Sequence, residues 1–300
     1  MTINLPLSEG VRRAALPITT VVQVAASAAV IGPTVAAPLL LQRLQLGLFA
    51  VGVFVALVYI GAVFSTQVAA IAVGRLGPIR TSQLSLLCTA IGVLLLTSTL
   101  LPLAALGAVV IGLGYGPITP ASSQMLARST DPRHYALVFS IKQTGVPLGG
   151  VLAGLIVPPL AAFNSGVVAL LGLAVMCVVA ALSAMPLARE LDRERVASAR
   201  WPHWRDFLGP VRVVMAHRVL RSVALCSLVF SIVQVTLTSY MVSYLTADLG
   251  WTLARAGGAL AMAQFFGVGA RIGWGYWPTG GSGRSACCCA SRRPWPAAAC

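Results

Sequence analysis

Residues 46–73 read LGLFAVGVFVALVYIGAVFSTQVAAIAV, an uninterrupted run without a charged side chain. A helix needs about 20 predominantly apolar residues to cross the hydrocarbon core of a bilayer, and this run is long enough. Strands of a membrane barrel alternate apolar and polar residues over about 10 positions, whereas this run is apolar on all sides. The stretch therefore predicts a membrane-spanning helix.

The composition extends this prediction to the whole chain. Of its 300 residues, 58% are hydrophobic and only 9% are charged, whereas a soluble domain carries roughly a quarter charged residues. The net charge of +14 is spread over short segments between apolar runs, which is typical of membrane loops. A nucleic-acid protein clusters its basic residues on a soluble face, so we expect no nucleic-acid partner.

Eight apolar runs of sufficient length follow one another along the chain, separated by turn or charge signals. We predict an all-α, polytopic membrane protein with spans at Leu16–Leu41, Leu46–Val73, Ser82–Leu101, Leu103–Leu126, Ala136–Leu160, Ser165–Leu187, Val219–Thr246 and Leu253–Tyr276.

The arginines predict how these spans are oriented. If the N-terminus is cytoplasmic, the inside segments hold fourteen arginines and the outside segments hold only Arg43 and Arg255. Cytoplasmic loops carry the excess of basic residues, so we expect a cytoplasmic N-terminus. Arginine far outnumbers lysine, which occurs only at Lys142, and this bias indicates a GC-rich bacterial genome. The predicted location is the bacterial inner membrane.

The chain divides into four parts on this reading. Residues 1–187 form a half of six helices, 188–218 a cytoplasmic central loop whose mixed charges indicate a solvated helix, and 219–276 a partial second half of two helices. Residues 277–300 have no apolar period. We expect that tail to be disordered, and a frameshift or truncation near Tyr276 is our hypothesis for its composition.

Three local patterns carry a family resemblance. The loop after the second span contains Arg75 and Gly77, with Gly74 where an acid is expected. The fifth span has a Gly/Pro-rich segment that includes Gly145, Pro147, Gly149 and Gly150. The eighth span ends in residues 269–275, GARIGWG.

In their order and spacing these patterns resemble the major facilitator superfamily, whose members have two halves of six helices. The resemblance implies a secondary carrier that works by alternating access, with eight of an expected twelve helices present. The residues add that glycines four apart share one helix face and let helices approach closely in lipid. Pro147 removes a backbone hydrogen bond and can bend its span.

The resemblance places a solute site between the halves, on the first, fourth and seventh spans. Polar residues that share a face on those spans are candidate ligands, because polar groups in hydrocarbon need partners. They are Gln23 and Ser27, Tyr115 and Thr119 with Ser122 or Ser123, and Gln234 and Thr238 with Tyr240 and Ser243 nearby. For any one of them taken singly, a hydrogen bond between helices is the plainer explanation.

Lys142 and Gln143 are the sharpest candidates. A lysine at the centre of a span costs about 2.5–3.5 kcal/mol on insertion scales, so it is rarely idle. One reading is an anion site in which these two residues contact a carboxylate. The other is that the lysine extends to the membrane interface, because it lies within about 9 Å of the cytoplasmic end at helical rise.

All seven acidic residues lie outside the spans or at their margins, so proton coupling through a buried carboxylate is unsupported. No sequence motif indicates an enzyme, a metal site or a cofactor. We predict a carrier of a small organic solute, with an organic anion as one possibility. It would be a monomer whose partners are that solute and membrane lipid. The alternatives are a multidrug efflux carrier, a membrane sensor or assembly subunit without transport, and an inactive truncated carrier.

Overall fold

The fold is a bundle of long helices. A computed structural model describes residues 9–131, 134–163, 166–192 and 209–280, and these ranges contain helices and no strand. The α-helices are α1 Glu9–Val35, α2 Ala37–Leu44, α3 Phe49–Leu76, α4 Pro78–Leu95, α5 Leu101–Tyr115, α6 Ile118–Ser129, α7 Tyr135–Gln143, α8 Gly145–Ala161, α9 Val167–Ser183, α10 Ala188–Leu191, α11 Gly209–Ala216, α12 Arg218–Ala247 and α13 Leu253–Gly280.

The predicted all-α membrane architecture is confirmed. Seven helical segments in the described ranges are long and apolar enough to cross a membrane, and they match the first seven predicted spans. The eighth predicted span corresponds to α13, which is 28 residues long but is not among those seven. It continues to Gly280, and residues 281–300 of the predicted disordered tail lie outside the described ranges.

Prolines explain why the fourth and fifth spans are each divided in two. Pro120 has no N–H to donate to the carbonyl of Gly116, and α5 ends at Tyr115. Pro147 likewise leaves the carbonyl of Gln143 without its helical donor, and α7 ends at that residue. The interruptions therefore lie one turn before each proline, in the middle of the bundle.

Helix α8 lies in the core of the bundle. One side of α8 packs against α1 and the other against α13, while α4 packs against α5 and α9. Many of the buried residues are alanine, valine or glycine, which lets helix backbones approach closely without a hydrophobic driving force between them.

The buried side chains of helix α12 lie near its C-terminal end. Its buried residues are Ser239, Val242 and Ser243, and Tyr240 lies against Gly52 of α3. The preceding part is exposed, with Val223 and Phe230 as examples. The space between α12 and the other helices is thus closed at the end of the bundle where α1 terminates. We call this end the far end. The end where α1 begins is the near end.

The segment after α9 corrects one expectation. Asp192 was predicted to lie on a solvated helix, but it is 1% exposed and directly follows the short helix α10. Its two carboxylate oxygens accept hydrogen bonds from the backbone N–H groups of Ile79 (3.0 Å) and Arg80 (3.1 Å) at the start of α4. Residues 193–208, where the rest of that helix was predicted, lie outside the described ranges.

Candidate functional site

A cavity of about 270 Å³ lies between α12 and the first helices of the bundle. Helices α1, α3, α5, α6, α7, α8, α12 and α13 all contribute to its wall. Ten of its fourteen lining residues carry a polar group on the side chain. The lining consists of Ser27, Val30, Ile31, Tyr59, Tyr115, Thr119, Gln143, Val146, Ser231, Gln234, Val235, Thr238, Gln264 and Arg271. Six of the eight residues predicted to bind solute therefore meet at one cavity.

A hydrogen-bonded group forms one wall. Gln23, which is fully buried, donates from Nε2 to Ser27 Oγ over 3.3 Å and accepts at Oε1 from Thr119 Oγ1 over 3.5 Å. Tyr115 lies close enough to interact with both Gln23 and Ser27. Gln23 does not line the cavity itself. It holds two lining hydroxyl groups in place, because a buried amide is stable only when its polar atoms are bonded.

The wall formed by α12 is less constrained. The hydroxyl of Thr238 donates to the carbonyl of Gln234, one turn earlier, over 2.9 Å. A hydrogen bond of this kind gives the threonine hydroxyl an acceptor within its own helix. Among the described residues, no hydrogen bond engages the amide of Gln234, which leaves that amide available to the cavity.

Lys142 lies beside the cavity rather than in its wall. Its side chain is 1% exposed and does not belong to the lining, whereas the adjacent Gln143 does. The burial does not support the alternative in which the lysine extends to the membrane interface. Helix α7 packs against α1 and α13, so the Lys142 charge lies inside the bundle.

The sequence reasoning missed Arg271, Gln264, Tyr59 and Ser231. Arg271 was assigned to the end of the eighth span, but α13 continues past it and its side chain reaches the cavity and interacts with Tyr115. An arginine within an apolar run was the available signal, since such a charge seldom lies in a span without a role. Nothing in the local sequence distinguishes Gln264, Tyr59 or Ser231 from residues that face another helix.

The electrostatic balance of the cavity is positive. Within the described ranges, no carboxylate lines it, and neither Arg271 nor Lys142 forms an ion pair. The hydroxyl and amide groups around Arg271 can act as donors. The arrangement can thus bind a small molecule that carries an acceptor-rich anionic group. The described residues contain no group of three His, Cys, Asp or Glu side chains placed to hold a metal ion.

The Gly/Pro segment predicted to act in conformational change makes contacts on two sides of α8. A Cβ atom on Gly145 or Gly149 would collide with Gln23, Ser27 or the nearby backbone of α1. A Cβ atom on Gly150 would meet Gln264, and one on Gly154 would meet the backbone of Gly257, both on α13. The glycine faces therefore join α8 closely to α1 on one side and to α13 on the other.

The loop motif around Arg75 and Gly77 also has a defined structure. Gly77 adopts φ +92° between α3 and α4, a conformation that residues with a side chain rarely adopt. A Cβ atom there would also collide with the Asp192 carboxylate. An acid from a distant segment, Asp192, therefore lies next to the same loop.

The chain is similar to known membrane transporters. The family model of the Major Facilitator Superfamily matches residues 19–281. Two uncharacterized MFS-type transporters, from two strains of Mycobacterium tuberculosis, are each 26% identical to it over 168 residues, which is 55% of this chain and 36% of theirs.

The fold is also similar to a solved structure, that of a bacterial homolog of the human lysosomal transporter Spinster in an inward-facing and occupied conformation. The TM-score is 0.61 at 18% identity, with 86% of this chain and 60% of that chain covered. The chain thus spans about a third of the length of the curated relatives and three fifths of the solved one. Proteins of this superfamily are transporters and not enzymes. Because the family model covers most of the sequence, the chain belongs to the major facilitator superfamily.

Proposed function

We propose that this protein is a secondary carrier that moves a small organic anion across the bacterial inner membrane by alternating access. The observation that carries the proposal is Arg271, an arginine without an acidic partner in the described ranges, in the wall of a polar cavity at the centre of the bundle. Lys142 adds a second positive charge on α7, which packs against α13.

The size and chemistry of the cavity support a small substrate. A volume of about 270 Å³ is near the lower end of the range for ligand pockets. The lining supplies hydroxyl and amide groups for orientation and a guanidinium group for charge. Arg271 would bind a carboxylate through two parallel hydrogen bonds, a geometry that its planar guanidinium favours.

The direction of opening follows from the arginine distribution. The far end is closed where Ser239, Val242 and Ser243 of α12 are buried, while side chains nearer the start of α12 are exposed. The positive-inside rule assigns the near end to the cytoplasm. The described state would therefore receive solute from the cytoplasmic side.

Alternating access requires that one half moves against the other, and α8 is suited to this because its glycines contact α1 on one side and α13 on the other. Small residues at such contacts allow helices to slide without steric collision. The interruption before Pro147 supplies a point at which the span can bend. We therefore assign the conformational role to Gly145, Pro147, Gly149 and Gly150.

Binding to the purified full-length chain tests the proposal. Lactate, succinate and citrate are titrated in detergent, with lactamide and succinamide as neutral analogues of similar shape. We expect acids to bind and amides to bind at least about tenfold more weakly, because a hydrogen bond to a charged group contributes about 1.5–3 kcal/mol. Arg271→Gln should remove the preference for acids.

Arg255→Gln is the matched control. Arg255 also lies on α13, but it stacks on Trp251, 4.1 Å from the ring centroid, outside the cavity lining. Equal binding of acids and amides, or an Arg271→Gln variant with unchanged affinity for acids, would contradict the anion site. Proteoliposomes then test transport: an acid that binds in an Arg271-dependent way but never exchanges across the membrane would contradict the carrier assignment.

A further inference from the structure

A second cavity, of about 310 Å³, lies at the far end of the bundle, between α1, α2, α3 and α5. Leu40 and Leu44 of α2 form one side, and Phe54 and Leu57 of α3 form the other. It shares no lining residue with the polar cavity. The proposed solute site therefore does not account for it.

The lining leaves no hydrogen-bonding group for a polar ligand. Thr34 carries the only polar side chain in the wall, and its hydroxyl donates to the carbonyl of Ile31 over 2.7 Å. A polar solute would lose its hydration without compensating hydrogen bonds, which is costly. The chemistry of the cavity therefore selects a hydrocarbon chain.

The rim of the cavity carries exposed apolar side chains. Phe49 and Leu101, which line it, are 69% and 53% exposed. Both lie at the first residue of a membrane helix, at the level where an apolar surface meets acyl chains. A lipid tail can thus reach the cavity across this apolar rim.

Helix α2 places a cation beside this opening. Leu40, Leu41 and Leu44 face the cavity, whereas Gln42 and Arg43 are exposed. This division is typical of a helix that lies at the membrane interface. Arg43 has no ion-pair partner in the part of the chain that the structure describes, and a guanidinium group binds phosphate in a bidentate manner.

We propose that this cavity binds one acyl chain of an anionic membrane phospholipid, whose phosphate contacts Arg43. The two halves of such a lipid match the two features of the site: hydrocarbon fills an apolar cavity, and negative charge meets an unpaired guanidinium group one residue from the lining residue Leu44. The site is separate from the solute cavity and does not depend on the transport proposal.

Photolabelling of the full-length chain in nanodiscs tests the site. The probes are phosphatidylglycerol and phosphatidylcholine that carry the same diazirine on one acyl chain. We expect crosslinks to peptides of α2 and α3, with phosphatidylglycerol labelled about fivefold more than phosphatidylcholine, as one interfacial arginine favours an anionic lipid by about that factor.

Two pairs of variants separate the parts of the site. Ala50→Phe fills the cavity and should abolish labelling there, whereas Ala56→Phe, an exposed position on the same helix outside the lining, should not. Arg43→Gln should remove the preference for phosphatidylglycerol while labelling by phosphatidylcholine persists. Arg255→Gln, the matched change at the other arginine of the far end, should leave the preference intact.

Three results would overturn the inference. They are equal labelling by the two lipids in the unmodified protein, undiminished labelling of the folded Ala50→Phe protein, and displacement of the probe by a free fatty acid but not by unlabelled phosphatidylglycerol. If Ala50→Phe does not elute as a monodisperse species, Ala105→Leu, a smaller change in the same wall, replaces it. The Arg43 comparison concerns an exposed side chain and is independent of that outcome.

Discussion

Replacing Asp192 by alanine removes the carboxylate that accepts hydrogen bonds from the Ile79 and Arg80 N–H groups, over 3.0 Å and 3.1 Å. These donors lie in the first turn of α4, where N–H groups have no partner within the helix. The carboxylate also interacts favourably with the positive end of the helix dipole.

These contacts set bounds on the expected decrease in the free energy of unfolding. Loss of a capping side chain costs about 0.5–2 kcal/mol, and an acid in a partly buried position at a helix N-terminus contributes up to about 2 kcal/mol. Since Asp192 is buried, we expect Asp192→Ala to destabilise the protein by about 2–3 kcal/mol. Asp192→Asn keeps a hydrogen-bond acceptor, so we expect it to destabilise the protein about half as much as Asp192→Ala does.

Thermal unfolding in detergent at a fixed scan rate measures this effect. For a chain of this size, about 2–3 kcal/mol corresponds to a fall in apparent Tm of about 3–5 °C. Asp248→Ala is the control, because Asp248 is an exposed acid at the C-terminal cap of α12. An Asp192→Ala protein that unfolds within about 1 °C of the unmodified chain would refute the role of this carboxylate.

Three further predictions concern the solute cavity and the helix contacts. Lys142→Met should weaken binding of organic acids several-fold, but less than Arg271→Gln, because Lys142 acts from outside the lining; equal losses in the two titrations would contradict this order. Gly154→Val should lower stability by about 1–3 kcal/mol through overpacking against α13, whereas Gly258→Val, at an open position of α13, should not, as thermal unfolding of both proteins will show. Thr119→Val should weaken binding of acids about tenfold, because a lining hydroxyl becomes a methyl group; unchanged affinity in the same titration would place this residue outside the site.

The membrane helices could be predicted from the sequence alone. Whether a segment such as residues 46–73 enters a bilayer depends on the sum of its own transfer free energies, so it can be read without knowledge of the fold. The pairs Gly145 with Gly149 and Gly150 with Gly154 were also readable, because helical periodicity alone places each pair on one face. The family resemblance indicated which spans face the solute, and six of the eight candidate residues lie at one cavity, although their role in binding stays a prediction.

Which polar groups lie next to which neighbours depends on the packing of the helices and could not be predicted. The Asp192 carboxylate accepts a hydrogen bond from the N–H of Ile79, 113 positions away in the sequence. The mixed charges around Asp192 in the sequence had indicated a solvated helix. Arg271 occurs in what reads as the end of a span, yet its side chain reaches the cavity, and Lys142 is buried beside that cavity rather than in its wall. Hydropathy measures the preference of a segment for lipid. It contains no information on which helix packs against which, and that packing decides whether a polar side chain meets a cavity, another helix or the membrane surface.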